Sequence, residues 1–237
     1  MRRIIKSSEP ACLVTIRTAE TTDLATHAGA REAFDQLDKP AVRKALVAEQ
    51  AGLCAFCMRH IDSGSTDARD NPSTMKIAHR TPVAVDSTRA LTWTNLLGSC
   101  DGGQRSGGRY RTCDLAQEDK PLTVDPTSPG SVARLRYERR APLHGIFITS
   151  EDEALRGDVD QKTHDDGRAV HGTLALNAGE LPVLREQAWK AFQELQRRRH
   201  PTQKGKAALR QFLPQWLAHH GSRAPEFLGV IEYKVSA

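Results

Sequence analysis

Four of the chain's five cysteines fall within sixty residues: a C-x2-C pair, Cys54-Ala55-Phe56-Cys57, then Cys100 and Cys113. Four thiolates around one Zn2+ make a closed tetrahedral site whose job is structural. The alternatives are two disulfides or four unrelated buried thiols. The tight first pair argues against disulfides, and so does the opening Met1-Arg2-Arg3-Ile4-Ile5-Lys6, whose apolar part is too short for a secretory signal. The expectation is a reduced, zinc-binding set in the cytoplasm. Between the two halves of the set lie a histidine in Lys76-Ile77-Ala78-His79-Arg80-Thr81-Pro82 and an asparagine in Trp93-Thr94-Asn95-Leu96-Leu97.

The elements that must position these residues are legible in part. Pro40 suits a first helical turn, Val42, Ala45, Leu46 and Leu53 recur at helical spacing, and Gly52 reads as a C-cap, so a helix delivers the chain into Cys54. Residues 62 to 72 are turn formers and charges, a surface loop. Thr74 to Ala78 alternates polar and apolar residues, which predicts a short strand presenting His79 at its end and stopped by Pro82. Leu91 to Cys100 follows with Trp93, Leu96 and Leu97 as core anchors. The Gly- and Arg-rich stretch from Asp101 to Arg111 reads either as a phosphate-backbone contact through Arg105, Arg109 and Arg111 or as a solvated basic loop. Asp114 to Asp119 predicts a short helix ended by Pro121.

Upstream, Arg3 to Ile5 reads as strand-like and Ala28 to Leu37 as weakly helical, with no chemistry assigned to residues 1 to 38. Downstream, Arg134 to Glu138 and Gly145 to Thr149 read as strands joined through Ala141-Pro142 in a hairpin. His144, His164 and His171 lack ligand spacing and read as surface or packing residues. Asn177 with Glu180 reads as a capping box for a helix carrying Leu181, Leu184, Ala188, Phe192 and Leu195. Phe212, Trp216, Leu217, Phe227 and Leu228 load the tail with apolar surface, which serves either a partner or the hairpin of residues 134 to 149.

Composition sets wide bounds. A chain of 237 residues can bury an ordinary core, and no apolar run approaches the ~20 residues of a membrane span. The net charge of +5 permits a polyanionic partner without requiring one.

Taken together, these residues resemble the HNH endonucleases, the zinc-containing branch of the ββα-metal (His-Me finger) fold, and more closely the PtuB-like HNH subunits of Septu anti-phage systems and some retrons. The resemblance rests on Met1-Arg2-Arg3-Ile4-Ile5-Lys6, the run from Leu46 to Cys57, Ile77-Ala78-His79, Trp93 to Leu97, Cys100-Asp101-Gly102-Gly103-Gln104 and Thr112-Cys113-Asp114. It covers about the first 125 residues and continues more loosely through Leu176-Asn177 and the C-terminal helices.

The resemblance implies an α+β chain with an HNH core over 41 to 125 stapled by a four-cysteine zinc knuckle, an N-terminal segment over 1 to 40 and a C-terminal α+β extension over 126 to 237. It implies His79 as the general base, Asn95 as the residue that orients the base loop, Asp114 beside a catalytic Mg2+ or Mn2+, and structural zinc on Cys54, Cys57, Cys100 and Cys113. It further implies cleavage of DNA in anti-phage defence beside an ABC/SMC-like (PtuA-like) ATPase, with no membrane partner. Two positions depart from the family. Ala78 stands where an acidic residue normally ligates the catalytic metal, and Gln117 stands near the place of a usual lysine. Either fewer groups hold the metal, or another carboxylate substitutes, or the chain is an inactivated form. The competing readings are a degenerate HNH-fold module that binds nucleic acid without cleaving it, and a zinc-stapled adaptor for a protein partner.

Overall fold

The computed structural model describes residues 1–64, 74–104, 110–163 and 169–237. Part of the predicted surface loop (65–73), Arg105, Arg109 and His164 lie outside the described residues. Three helices precede the first cysteine pair: α1 (Ala11–Arg17), α2 (His27–Asp35) and α3 (Lys39–Glu49). The Asp38 side chain accepts from Ala41 N–H and Pro40 sits in the first turn, so the start of α3 has a cap and a pre-set φ. Val42 and Leu46, one turn apart, are fully buried. The helix ends where Ala51 and Gly52 both turn to positive φ. Residues 3 to 5 form no strand. They belong to a strap held at intervals, with Ile4 N–H donating to the Pro126 carbonyl and Trp93 Nε1 donating to the Ser7 carbonyl.

The central hairpin pairs β1 (Met75–His79) with β2 (Leu96–Cys100), antiparallel, setting His79 opposite Leu96 and Met75 opposite Cys100. One hairpin end therefore carries the histidine and the other carries the third cysteine. Gln50 welds this hairpin to α3. Its buried amide accepts from Gly98 N–H at 2.7 Å and donates to the Gly98 and Leu53 carbonyls at 2.8 and 2.7 Å. Position 98 is crowded: a Cβ would lie 2.9 Å from Ile61 Cδ1 and 3.1 Å from Gln50 Nε2, so these side chains would have to shift and the Gln50 bonds would be disturbed. After Cys113 comes α4 (Asp114–Gln117), one turn long.

Beyond it follow α5 (Pro129–Ala133), the antiparallel pair β3 (Leu135–Glu138) and β4 (Phe147–Ser150), α6 (Glu153–Val159), and a small hairpin of β5 (Gln161–Thr163) and β6 (Ala169–His171). The last three helices are α7 (Leu181–Arg199), α8 (Gly205–Ala218) and α9 (Leu228–Ser236). Asn177 does not cap α7, whose start makes no side-chain cap bond. Its amide instead clips β4, accepting from Ile148 N–H at 2.9 Å and donating to the Ile148 carbonyl at 2.8 Å.

The apolar tail is consumed internally. Phe192 meets Phe212 at 5.5 Å and Trp216 at 4.8 Å between ring centroids, α9 lies against β3, and Phe212, Phe227 and Leu228 are buried. This packing matches the hairpin-covering alternative for Phe212, Phe227 and Leu228, while Trp216 and Leu217 stay half-buried. One continuous apolar core contains residues from Met1 to Val235, so the N-terminal strap, central hairpin and C-terminal helices share it.

Candidate metal centre and histidine site

The four cysteines meet. Cys54 and Cys57 lie at the end of α3's exit turn, Cys100 ends β2, and Cys113 is held by its N–H donating to the Leu174 carbonyl. All four are buried, none is in a disulfide, and their sulfurs lie within 4.8 Å of one another. Individual Sγ separations are 3.9 Å for Cys54–Cys113 and 3.7 Å for both Cys57–Cys100 and Cys100–Cys113. A tetrahedron with ~2.3 Å zinc–sulfur bonds has edges of roughly 3.8 Å, so the set has the size such an ion requires.

Electrostatics make the same demand. Burial opposes a thiolate at Cys54, yet hydrogen bonds from Cys100, Cys113 and Cys57 hold its pKa well below the ordinary thiol value. The same contacts, led by Cys100, then push Cys113 well above it. Four anions cannot share this volume without a cation. Even four thiolates with one divalent ion keep a net charge of −2, and the fold supplies an offset. Arg185 of α7 is 1% exposed and close enough to feel the charges of Cys57 and Cys113. Burial lowers the Arg185 pKa, the charges of Cys57 and Cys113 oppose that shift, and the net value is about 10. Its guanidinium donates to the Ile146 carbonyl at 3.2 Å, to Asn177 Oδ1 at 3.1 Å and to the Leu176 carbonyl.

At the other hairpin end, His79 Nε2 lies 3.0 Å from the Ala90 carbonyl oxygen. A carbonyl only accepts, so Nε2 carries the hydrogen and Nδ1 keeps its lone pair. The Phe34 ring of α2 packs on the imidazole at 4.7 Å, tilted 60°. Burial lowers the His79 pKa against the opposing Ala90 carbonyl, and Arg31 lowers it further, so the ring is neutral near pH 7. The N-terminal helices, to which sequence alone attached no chemistry, thus form the wall that sets this histidine's charge.

Asn95 immediately precedes Leu96, the strand partner of His79, so it lies at the histidine end of the hairpin, and it is fully buried. Its Oδ1 accepts from Thr81 N–H at 2.8 Å, and its Nδ2 donates to the Thr81 and Arg89 carbonyls at 3.0 and 3.1 Å. Gln117 of α4 adds a second brace, its Nε2 donating to the carbonyls of His79 (3.0 Å), Arg80 (3.2 Å) and Lys120 (3.1 Å). Two buried amides therefore fix the chain from His79 to Thr81. Asn95→Ala would strip a donor from two carbonyls and an acceptor from one N–H. The expected loss is about 2–4 kcal/mol in urea unfolding, and a loss below ~0.5 kcal/mol would mean that Asn95 is no brace.

A divalent catalytic ion finds less. Ala78 is fully buried in the core opposite Leu97 and offers no ligand atom. Asp114 sits at the cysteine end, where its N–H donates to Ser99 Oγ, the partner position of Lys76. Burial raises the Asp114 pKa to about 6, Lys76 opposing and Cys54 adding to the rise. Three residues of strand, roughly 10 Å, separate Lys76 from His79. Among the described residues, the four cysteines are the one group of three or more His, Cys, Asp or Glu side chains gathered at metal-binding distance. The cysteine donor set therefore fits a tetrahedral thiolate-bound ion such as zinc, and among the described residues no comparable oxygen set gathers at His79. Gln117 Oε1 is nevertheless buried with no hydrogen-bond partner.

Of the arginines in the basic loop, Arg111 is described, and it faces Glu118 at 3.8 Å. His144 and His171 line a separate polar cleft and join neither centre. Sequence reasoning missed Gln50, Arg185 and the bracing role of Gln117. The signal was faint in each case, a lone amide or arginine inside an amphipathic helix. Among the described residues, no helix is long and apolar enough to cross a membrane. No family model matches the chain, and no curated protein matches it.

Proposed function

We propose that this chain is an HNH-type endonuclease subunit whose ββα unit is β1, β2 and α4, whose four cysteines hold a structural Zn2+, and whose reaction is hydrolysis of a DNA phosphodiester. The observation that carries the reading is His79: a neutral imidazole at the end of the first strand, its Nε2–H bound to a carbonyl, its Nδ1 left basic, its flanking backbone braced by Asn95 and Gln117. In this reaction Nδ1 takes a proton from water as the water oxygen bonds to phosphorus and the P–O bond to the leaving sugar oxygen breaks. The leaving oxygen takes its proton from solvent. Anti-phage defence beside an ABC/SMC-like ATPase is the setting that the sequence resemblance supports.

A second reading is favoured by Ala78. With a methyl sealed in the core where the family places a carboxylate, the chain as written is a weak nuclease or a binding module on the same scaffold. Plasmid nicking with Mg2+ or Mn2+, with and without EDTA, separates the two. The expected result is nearly no cleavage by the chain as written and a clear Mg2+-dependent gain in Ala78→Asp, with unchanged zinc content. Efficient cleavage by the parent with no gain in Ala78→Asp would show that position 78 is not a lost ligand. No cleavage by either would leave the binding module as the function.

A further inference from the structure

On the face formed by α7, α8 and α9, a cleft of about 350 Å3 is lined by four cations, Arg197, Lys204, Lys206 and Lys234, over an apolar wall of Trp189 and Leu209. No carboxylate lines it. Arg197 has a partner outside the cleft, Glu194 at 3.0 Å, but among the described residues no acid lies in ion-pair contact with Lys204, Lys206 or Lys234. Uncompensated charge is costly where water is partly excluded, and its mark is visible at half-buried Lys234. There burial lowers the ammonium pKa, and Arg139 and Lys206 lower it further while Glu138 opposes them. The start of α8 adds to the field. Lys204 at the cap position makes no side-chain cap bond and the first turn holds no acid, so this 14-residue helix has no local anion at its N-terminus.

We propose that this cleft binds the phosphate of a nucleotide, with the heterocycle seated against Trp189 and Leu209. A phosphate supplies the missing negative charge and accepts from ammonium and helix N–H groups together, and the apolar wall suits a flat ring that a bare anion lacks. The same chemistry arrives either as a free mononucleotide or as one unit of a nucleic-acid strand. None of these residues lies in the β1–β2 hairpin, so the site stands whether or not His79 cuts anything.

The test uses the full zinc-loaded chain in buffer free of EDTA and added metal, at moderate salt. ATP and a fluorescent single strand of about 12 nucleotides, a span such sites cover, are titrated separately. Binding is followed by tryptophan emission for ATP and by anisotropy for the strand. One of the two is expected to bind, to weaken about ten-fold in Lys206→Glu, as loss of a charge-assisted contact does, and to change less than about two-fold in Lys44→Glu, the same charge reversal at a lysine away from the cleft. Trp189→Phe is expected to abolish the ATP-induced emission change while the fold, checked by thermal melting, persists. A response to ATP identifies the free nucleotide as the source, and a response to the strand alone identifies the phosphodiester. Binding of neither, or equal weakening in Lys206→Glu and Lys44→Glu, or an ATP emission change that survives Trp189→Phe, overturns the assignment.

Discussion

Stripping the metal from the four-cysteine centre is expected to unfold the core. The cysteines join three places distant in sequence, and all four are buried inside the main apolar cluster. Thiolate-bound structural zinc contributes on the order of 10–16 kcal/mol in small zinc-dependent folds, as much as or more than the ~5–15 kcal/mol that a whole domain retains. Elemental analysis should find one zinc per chain, and a strong chelator or Cys57→Ser should abolish the cooperative thermal transition. The thiolates must lose protons to bind the ion, so the holo state should weaken as pH falls. A chain that melts identically with and without chelator, or that purifies without metal, would remove the tetrahedral site and with it the scaffold of the hairpin.

His79→Ala is expected to lower cleavage by about 100- to 10,000-fold, the usual cost of a lost general base. The comparison is made in the Ala78→Asp background, where the parent rate is measurable. Zinc content should hold, because His79 lies at the hairpin end away from the cysteines, and melting should fall only modestly, since the half-buried imidazole loses its bond to the carbonyl of buried Ala90. The pH profile adds a separate reading. Burial, and then Arg31, lower the His79 pKa below the ordinary 6.5, with the Ala90 carbonyl opposing. The base therefore stays neutral as pH falls through 6.5, and the acid limb of the rate should lie below that value. Arg31→Ala should move the limb upward. A variant lacking His79 that cleaves as fast as its parent would make His79 a packing residue.

What the sequence by itself determined is what short spacing can encode. The C-x2-C pair announces a thiolate site because two ligands in one turn need no distant partner to be recognised. Helix α3 is legible from Pro40, the Val42–Leu46 period and Gly52, and β3–β4 from two short strands around Ala141-Pro142, since caps, periods and turns act within a few residues. The reading fails where a polar side chain spends its hydrogen bonds far away. Asn177 looks like a cap because Glu180 follows it, yet its amide bonds Ile148, 29 residues upstream. The tail's apolar residues resemble a docking face in sequence, and only packing shows β3, α7 and α8 covering them. Gln50, Gln117 and Arg185 carry no local signature, because what fixes each is a backbone group or a charge brought near by the fold. Arg185 is the clearest case: an arginine in an amphipathic helix reads as surface. It is buried because the fold brings the Ile146 and Leu176 carbonyls and Asn177 Oδ1 to its guanidinium and sets it within reach of the charges of Cys57 and Cys113, none of which is adjacent to it in sequence.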